Sequence, residues 1–358
     1  MLSKVTLFAL LCYVSAIPHI ITKIDEESAL NAAEGGVKRI HDMFVEWKQK
    51  FNRLYEGVEH NERFQIFKAN FEAMETHNLA FETGLETFRM ALNQFSDMKH
   101  EEYKKVLGYK PSQRLVSSSG GVALGKACKH DALAVNASID WRAHSAVSEV
   151  KNQGQCGSCW SFSTTGAVEG AWVVAGNDFV SLSEEELVQC DTGSDQGCNG
   201  GLMDNAYQWI IENGGLAAED AYPYISGNGT TGTCKKPKLK LKAATISDYC
   251  DLTPGSEKDL EKAVNLQPVA VAIEADQPAF QMYGGGVLPV KKCGKSLDHG
   301  VLLVGYGYDA KLKMNYWIVK NSWGADWGEN GYIRLQKMPA KAKHSTCGIA
   351  EAGSYPVV

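Results

Sequence analysis

The chain has 358 residues, enough for two or three domain-sized units, with 44% hydrophobic and 22% charged residues and a net charge of -6. That is the composition of an ordinary globular protein able to bury a sizeable core. Its mild acidity repels phosphate backbones and argues against nucleic acid as a partner.

The first residues, MLSKVTLFALLCYVSA, set Lys4 before an apolar run from Val5 to Val14 that ends in the small residues Ser15 and Ala16. The pattern predicts a cleaved secretory leader over 1–16, and the run is too short to span a bilayer. No later segment offers a long apolar run, so no membrane anchor is expected. From His41 to about Glu86 the chain lacks proline and repeats apolar residues at helical spacing: Phe44, Trp47 and Phe51, then Phe64, Phe67, Phe71 and Met74. Two helices are expected there. Between Lys110 and Gly125, proline, serine and glycine exclude regular structure and predict an exposed linker open to proteolysis.

Beyond the linker, a helix is expected from Cys159 to the stop at Ala175-Gly176, with shorter ones over 183–188, 203–212 and 257–264. After Gln267 come four runs with strand character, PVAVAI, GVLLVGYGY, NYWIVKNSW and GYIRLQ. Helices first and strands later imply an α+β enzyme of two lobes with a cleft between them. Lys236, Lys238, Lys240 and Lys242 alternate with other residues, which predicts one solvated face of an edge strand, with an acidic polysaccharide as a weaker reading. Asn136-Ala137-Ser138 and Asn228-Gly229-Thr230 are N-glycosylation sequons.

Cysteines sharpen the reading. Of the 10, Cys12 leaves with the leader, and the remaining odd number implies a free thiol in a compartment where disulfides persist. Cys156 and Cys159 form a C-x-x-C, but no second metal-binding pair follows at finger-like spacing and the preceding segment is not a βαβ unit, so no metal or other cofactor is expected. Only two histidines follow Cys159, and His344 lies in a lysine-rich loop, whereas His299 opens an apolar run.

Cys156-Gly157-Ser158-Cys159-Trp160 carries the local signature of the papain and cathepsin nucleophile. With Gln153 upstream, His299 downstream and Asn321 in Asn321-Ser322-Trp323-Gly324, the chain resembles the papain-like cysteine proteases in all four family positions and in their order. A thiolate is the attacking species, so the thiol pKa has to fall, and a helix beginning at Cys159 together with an imidazolium partner favours that. His299 is the expected base and then general acid, Asn321 the group that orients it, Trp323 the shield of that bond, and Gln153 a donor to the developing oxyanion.

Further upstream, Glu59, Arg63, Phe67, Asn70, Met74 and Asn78 stand at the spacing of the ERFNIN motif of cathepsin L-like propeptides, with Met74 for its isoleucine. Asn93, Phe95 and Asp97 fit the GNFD motif, with Ala91 for its glycine. The resemblance implies an inhibitory propeptide and linker over 17–125 and a mature papain-like domain over 126–358, a helical lobe beside a β-barrel-like lobe. It implies disulfides Cys156–Cys198, Cys190–Cys234 and Cys293–Cys347. Cys128 and Cys250 then either form a fourth bridge, the slightly favoured reading, or stay separate. It also maps the substrate cleft to Gly200 and Gly201, whose bare backbone admits an extended chain. An apolar S2 pocket maps to Leu202, Met203, Ala272, Leu297, Gly300 and Ala352. No carboxylate lies at the pocket floor, so hydrophobic P2 residues are expected. The histidine loop of cathepsin B-like exopeptidases is missing between Cys190 and Cys234, which predicts an endopeptidase. The expected partners are protein and peptide substrates and the chain's own propeptide, on a monomer that travels the secretory pathway to lysosome, vacuole or extracellular space. A binding protein without activity, or an acyl transferase using the same residues, are the competing classes.

Overall fold

The computed structural model describes residues 26–111, 126–127 and 134–358. The leader, most of the linker and Cys128 lie outside them. The chain divides into two compact units, 1–64 and 65–358.

The first unit contains helix α1 (Glu26–Lys50) and the start of α2 (Gly57–Glu82). Aromatic residues one helical turn apart hold it together. Phe44 stacks on Trp47 with centroids 5.9 Å apart and meets Phe64 at 5.6 Å. Lys48 and His60 add a 3.1 Å hydrogen bond.

The second unit begins within α2, whose buried Phe67, Phe71 and Met74 recur at spacings of four and three residues, as an amphipathic helix requires. Among the described residues it then holds ten strands in one sheet: β1 (Phe88–Met90), β2 (Lys126–Ala127), β3 (Ile139–Asp140), β4 (Asp248–Asp251), β5 (Val269–Ile273), β6 (Tyr283–Leu288), β7 (His299–Asp309), β8 (Met314–Lys320), β9 (Tyr332–Gln336) and β10 (Gly353–Val357). Their order is β1-β6-β9-β8-β7-β5-β10-β4-β2, with β3 paired to β7. Between β3 and β4 come α3 (Cys159–Val174), α4 (Glu184–Cys190) and α5 (Met203–Asn213), and α6 (Glu257–Leu266) precedes β5.

Two apolar cores result. One gathers β-strand residues such as Leu303, Trp317, Val319 and Ile333 with Phe280, Trp323 and Trp327. The other packs Trp160, Val168, Leu187, Tyr207 and Ile210 from α3, α4 and α5 against Ala270, Ala272, Leu302 and Val304. Helix α3 is buried almost throughout and lies close to the sheet because Gly166 and Gly170 present no side chain. A Cβ at Gly166 would stand 2.8 Å from Leu302, and one at Gly170 2.5 Å from Pro268.

The expected helices and late strands are present within a few residues of their expected ends, except that α1 begins at Glu26, well before the expected start at His41. Ser183 caps α4 by accepting the amide of Glu186 at 3.0 Å, as a serine before a Glu-rich turn suggests. The lysine run is the exception. Lys236–Lys240 is a 3-10 helix with Pro237 in its first turn, so these lysines do not share a strand face. Lys238 lies over the Tyr222 ring and Lys242 reaches Glu186 at 3.3 Å.

Disulfides join Cys156 to Cys198, Cys190 to Cys234 and Cys293 to Cys347. Cys250 is disulfide-bonded too, which removes the reading that leaves it unbridged. Among the described residues Cys159 is the free cysteine.

Candidate active site

Cys159 is the first residue of α3, directly after Ser158, and wholly buried. The turn that delivers it is fixed at both ends. Cys156 is bridged to Cys198, and the Gly157 amide donates to the Cys198 carbonyl at 2.9 Å. His299 opens β7, and Asn321 follows the last residue of β8. The two strands run antiparallel with Leu302 opposite Lys320, so His299 and Asn321 meet at one end of the ladder. Asn321 Oδ1 lies 2.8 Å from His299 Nε2 and also accepts the Ser322 amide at 2.8 Å. The Ser322 N–H is a fixed donor, which identifies the Asn321 atom as oxygen. His299 Nε2 therefore carries the proton, and Nδ1, buried and without a hydrogen-bond partner, keeps its lone pair. Trp323 stacks on the imidazole at 4.8 Å, within an aromatic cage completed by Phe280 and Trp327.

Gln153 is wholly buried as well. Its Nε2 donates to the carbonyls of Cys156 and Val106, both at 2.8 Å, and its Oε1 accepts from the Ser322 hydroxyl at 2.6 Å. Ser322, which sequence reasoning passed over, thus sets which end of the amide faces the cleft. Its only signal was its place in the Asn-Ser-Trp-Gly motif.

A backbone strap from Val106 to Lys110 fills this site. The Cys159 sulfur accepts two amides at 3.3 Å, one from Gly300 and one from Gly108 of the strap. The Gly201 amide donates to the Gly108 carbonyl at 2.9 Å, the Lys110 amide returns to the Gly201 carbonyl at 3.2 Å, and the Tyr109 amide donates to the Asp298 carbonyl at 3.0 Å. The strap runs parallel to the chain at Gly201. Tyr109 packs against the apolar core that contains Met203 and Ala272, with Leu297 and Ala352 at its edge. Of the six residues mapped to the pocket, four are neighbours: Gly300 pairs with Ala272, Ala272 donates to the Ala352 carbonyl at 2.9 Å, and a Cβ at Gly300 would lie 3.3 Å from Met203 Sδ. Leu297 borders the same core, and Leu202 is buried just before α5. At Gly200, φ of 114° and the strap's Lys110 side chain, 2.6 Å from a notional Cβ, both require glycine.

The strap is anchored upstream. Asn93 Nδ2 donates to the Gln281 carbonyl and Gln281 Nε2 to the Phe95 carbonyl, at 2.8 and 3.0 Å. Gln94 reaches the Trp323 carbonyl at 2.7 Å, Phe95 meets the Trp323 ring edge-on at 4.8 Å, and Tyr103 donates to the Ala275 carbonyl at 2.7 Å. Ion pairs Glu86–Lys292 at 2.6 Å and Lys104–Asp276 at 3.4 Å lie alongside. With water excluded, burial pushes the Cys159 thiol up to about 11 against the two amides, and pushes His299 down to about 4 against the Asn321 hydrogen bond. Burial thus disfavours the charged form of both groups while the strap is in place.

Comparison with known proteins agrees with this architecture. Residues 135–357 match the papain family cysteine proteases, and residues 44–103 match the cathepsin propeptide inhibitor domain (I29). The chain is 44% identical over 328 residues to probable cysteine protease RD21B of Arabidopsis thaliana, covering 91% of this chain and 67% of that one. It is 41% identical over 336 residues to cathepsin L of Sarcophaga peregrina, covering 92% and 96%. Among solved structures, digestive procathepsin L 3 of Tenebrio molitor larval midgut superposes with a TM-score of 0.78 at 40% identity, over 89% of this chain and 99% of that one. A recombinant stem bromelain precursor gives the same TM-score at 34% identity and the same coverage. Fold and site define a cysteine endopeptidase made as a zymogen. The chain belongs to the papain family and carries its own I29 inhibitory propeptide.

Proposed function

We propose that Cys159, His299, Asn321 and Gln153 carry out peptide-bond hydrolysis through a thioester, on extended substrates with an apolar P2 side chain. The observation that carries this reading is the strap itself: the cleft holds an extended polypeptide by the amide and carbonyl of Gly201, beside a buried thiol and a Gln153 amide on a backbone carbonyl. Once the strap leaves, water reaches the site and His299 Nδ1 takes the Cys159 proton. The helix terminus at Cys159 and the imidazolium then stabilise the thiolate. Sulfur attacks the substrate carbonyl carbon, and Gln153 Nε2 and the Cys159 amide receive the charge on oxygen. The C–N bond breaks as His299 protonates the leaving amine, and water deprotonated by His299 releases the acid. The strap offers the sulfur an N–H donor, which explains how a bound backbone escapes attack.

Met203, Ala272, Gly300 and Ala352, with Leu202 and Leu297, are the proposed S2 wall, and Tyr109 against that core supports acceptance of bulky apolar groups. A charged P2 group would be desolvated there without a partner, so kcat/KM for a Leu-Arg or Phe-Arg amide will exceed that for Arg-Arg by about 10- to 100-fold. Equal rates would sink the pocket assignment.

The same reading makes release acid-driven. Burial pushes the Glu86 carboxyl up, but the Lys292 ammonium outweighs it and holds Glu86 below its ordinary value. A depressed carboxylate stabilises the docked state above its free pKa and ceases to do so as pH falls through the bound value. Glu86→Gln will therefore self-process at higher pH than wild type. A pH series read by gel checks this, and unchanged or lowered pH dependence would remove Glu86 as a latch. The disulfides, the apolar leader and the sequons support passage through the secretory pathway to lysosome, vacuole or extracellular space. No helix among the described residues is long and apolar enough to cross a membrane.

A further inference from the structure

Two buried carboxyl groups that the chemistry above does not use lie shortly before the Gly201 ledge in sequence, and one of them, Asp195, stands directly beneath it. Asp191 directly follows α4, and Asp195 stands in the loop to Cys198; each is 3% exposed. Asp195 Oδ1 accepts the Leu202 amide and Asn205 Nδ2, both at 3.0 Å. It also supports the ledge from beneath, since a Cβ at Gly201 would lie 2.7 Å from Asp195 Cγ and 2.7 Å from the Trp160 ring. Oδ2 of each aspartate is buried and receives no fixed donor. The other charged side chains facing the pair come from α5, Glu212 toward Asp191 and Asp204 toward Asp195, and both are acidic. The loop between them is closed by the Cys190–Cys234 and Cys156–Cys198 bridges, which limits any retreat.

We propose that Asp191 and Asp195 share a proton between their free oxygens, and that this shared proton positions the Gly201–Met203 ledge for substrate, so that losing it weakens peptide binding. The inference rests on the reading of that ledge as part of the substrate cleft. Two carboxylates held together out of water cannot both be charged at moderate cost. Burial, then the neighbouring Asp195, pushes Asp191 up to about 9. Burial pushes Asp195 up to about 6 against the donors Asn205 and Leu202. The two values belong to the pair, with one proton retained between them. Both are raised above the ordinary carboxylate value, so the folded chain binds more protons than the unfolded one. The pair's contribution to stability therefore falls as pH rises through this window. Loss of the last proton sets two charges against each other beside the Leu202 amide. These aspartates are positioning residues that never touch substrate.

The test is the pH dependence of KM and kcat for a Leu-containing peptide amide with the matured enzyme, for wild type, Asp191→Asn and Asp195→Asn. Each variant replaces the shared proton with a permanent N–H, and Asp195→Asn keeps an oxygen for the Leu202 amide. In wild type KM will rise about fivefold between pH ~6 and ~9.5, whereas in a folded variant it will stay within about 1.5-fold, and the kcat profile will not move. A flat wild-type KM, or an alkaline rise that persists in both variants, overturns the proposal. If one variant fails to fold, the other decides. Loss of Leu-over-Arg discrimination in wild type would overturn the ledge reading, whereas intact discrimination with unaltered KM profiles would overturn the pair alone.

Discussion

In the matured enzyme Cys159→Ala will lower kcat for a Phe-Arg amide by about 10⁵- to 10⁶-fold, His299→Ala will cost nearly as much, and the double variant will be little worse than either. Thiol and imidazole act as one unit. Without sulfur there is nothing for Nδ1 to deprotonate; without the imidazole the thiol stays protonated and the amine leaves without a proton. The residual rate reflects the ledge and the Gln153 amide, which still bind and polarise the carbonyl. Under the proposed self-processing the precursor's own thiol cuts the linker, so the Cys159→Ala precursor will also persist uncut at acid pH. Intact mass after acid incubation and progress curves with reductant check both statements. Measurable turnover by Cys159→Ala, with wild-type contamination excluded by active-site titration, would transfer the nucleophile's role elsewhere.

The parts of this site that were legible in the sequence are those whose chemistry demands a particular residue at a short distance along the chain. Cys156 through Trp160 announced both the thiol and the start of its helix, and the 3.6-residue recurrence of Phe67, Phe71 and Met74 announced α2. His299 stood out because it opens an apolar run with strand character, whereas His344 lies in a lysine-rich loop. What was not legible depends on contacts far away in sequence. The lysines from 236 to 242 alternate like a strand, yet Pro237 sets its own φ and the segment turns as a 3-10 helix with Lys238 over Tyr222, a partner that no local pattern announces. Val106 to Lys110 carries no periodicity at all. Its extended shape is imposed by Gly201, Gln153 and the sulfur it covers. Asp191 and Asp195 lie in a polar loop that composition assigns to solvent, and only the folded chain shows that both are buried.

Gly108 is where the inhibitory strap is most sensitive. Its backbone lies against Gly157, so an added Cβ would stand 1.7 Å from the Gly157 carbonyl oxygen and 2.4 Å from its carbon. Backbone overlap of that size cannot be relieved by turning a side chain. Nor can Gly157 withdraw, since it is next to the Cys156–Cys198 bridge and its amide is committed to Cys198. The strap must lift, and with it go the amide on the Cys159 sulfur and the carbonyl held by Gly201. Overpacking of this kind typically costs about 1–3 kcal/mol, so the uncleaved Gly108→Ala precursor will hydrolyse a small peptide amide near pH 7 about 10- to 100-fold faster than the wild-type precursor. Its Cys159 will react correspondingly faster with iodoacetamide. The Glu86 ion pair and the Asn93 to Tyr103 anchors are untouched, so the propeptide stays docked and the gain reflects the strap alone. If the variant precursor remained as inert as wild type, with its mass unchanged, the block would have to reside in those anchors, and Val106 to Lys110 would merely lie over a cleft that something else keeps shut.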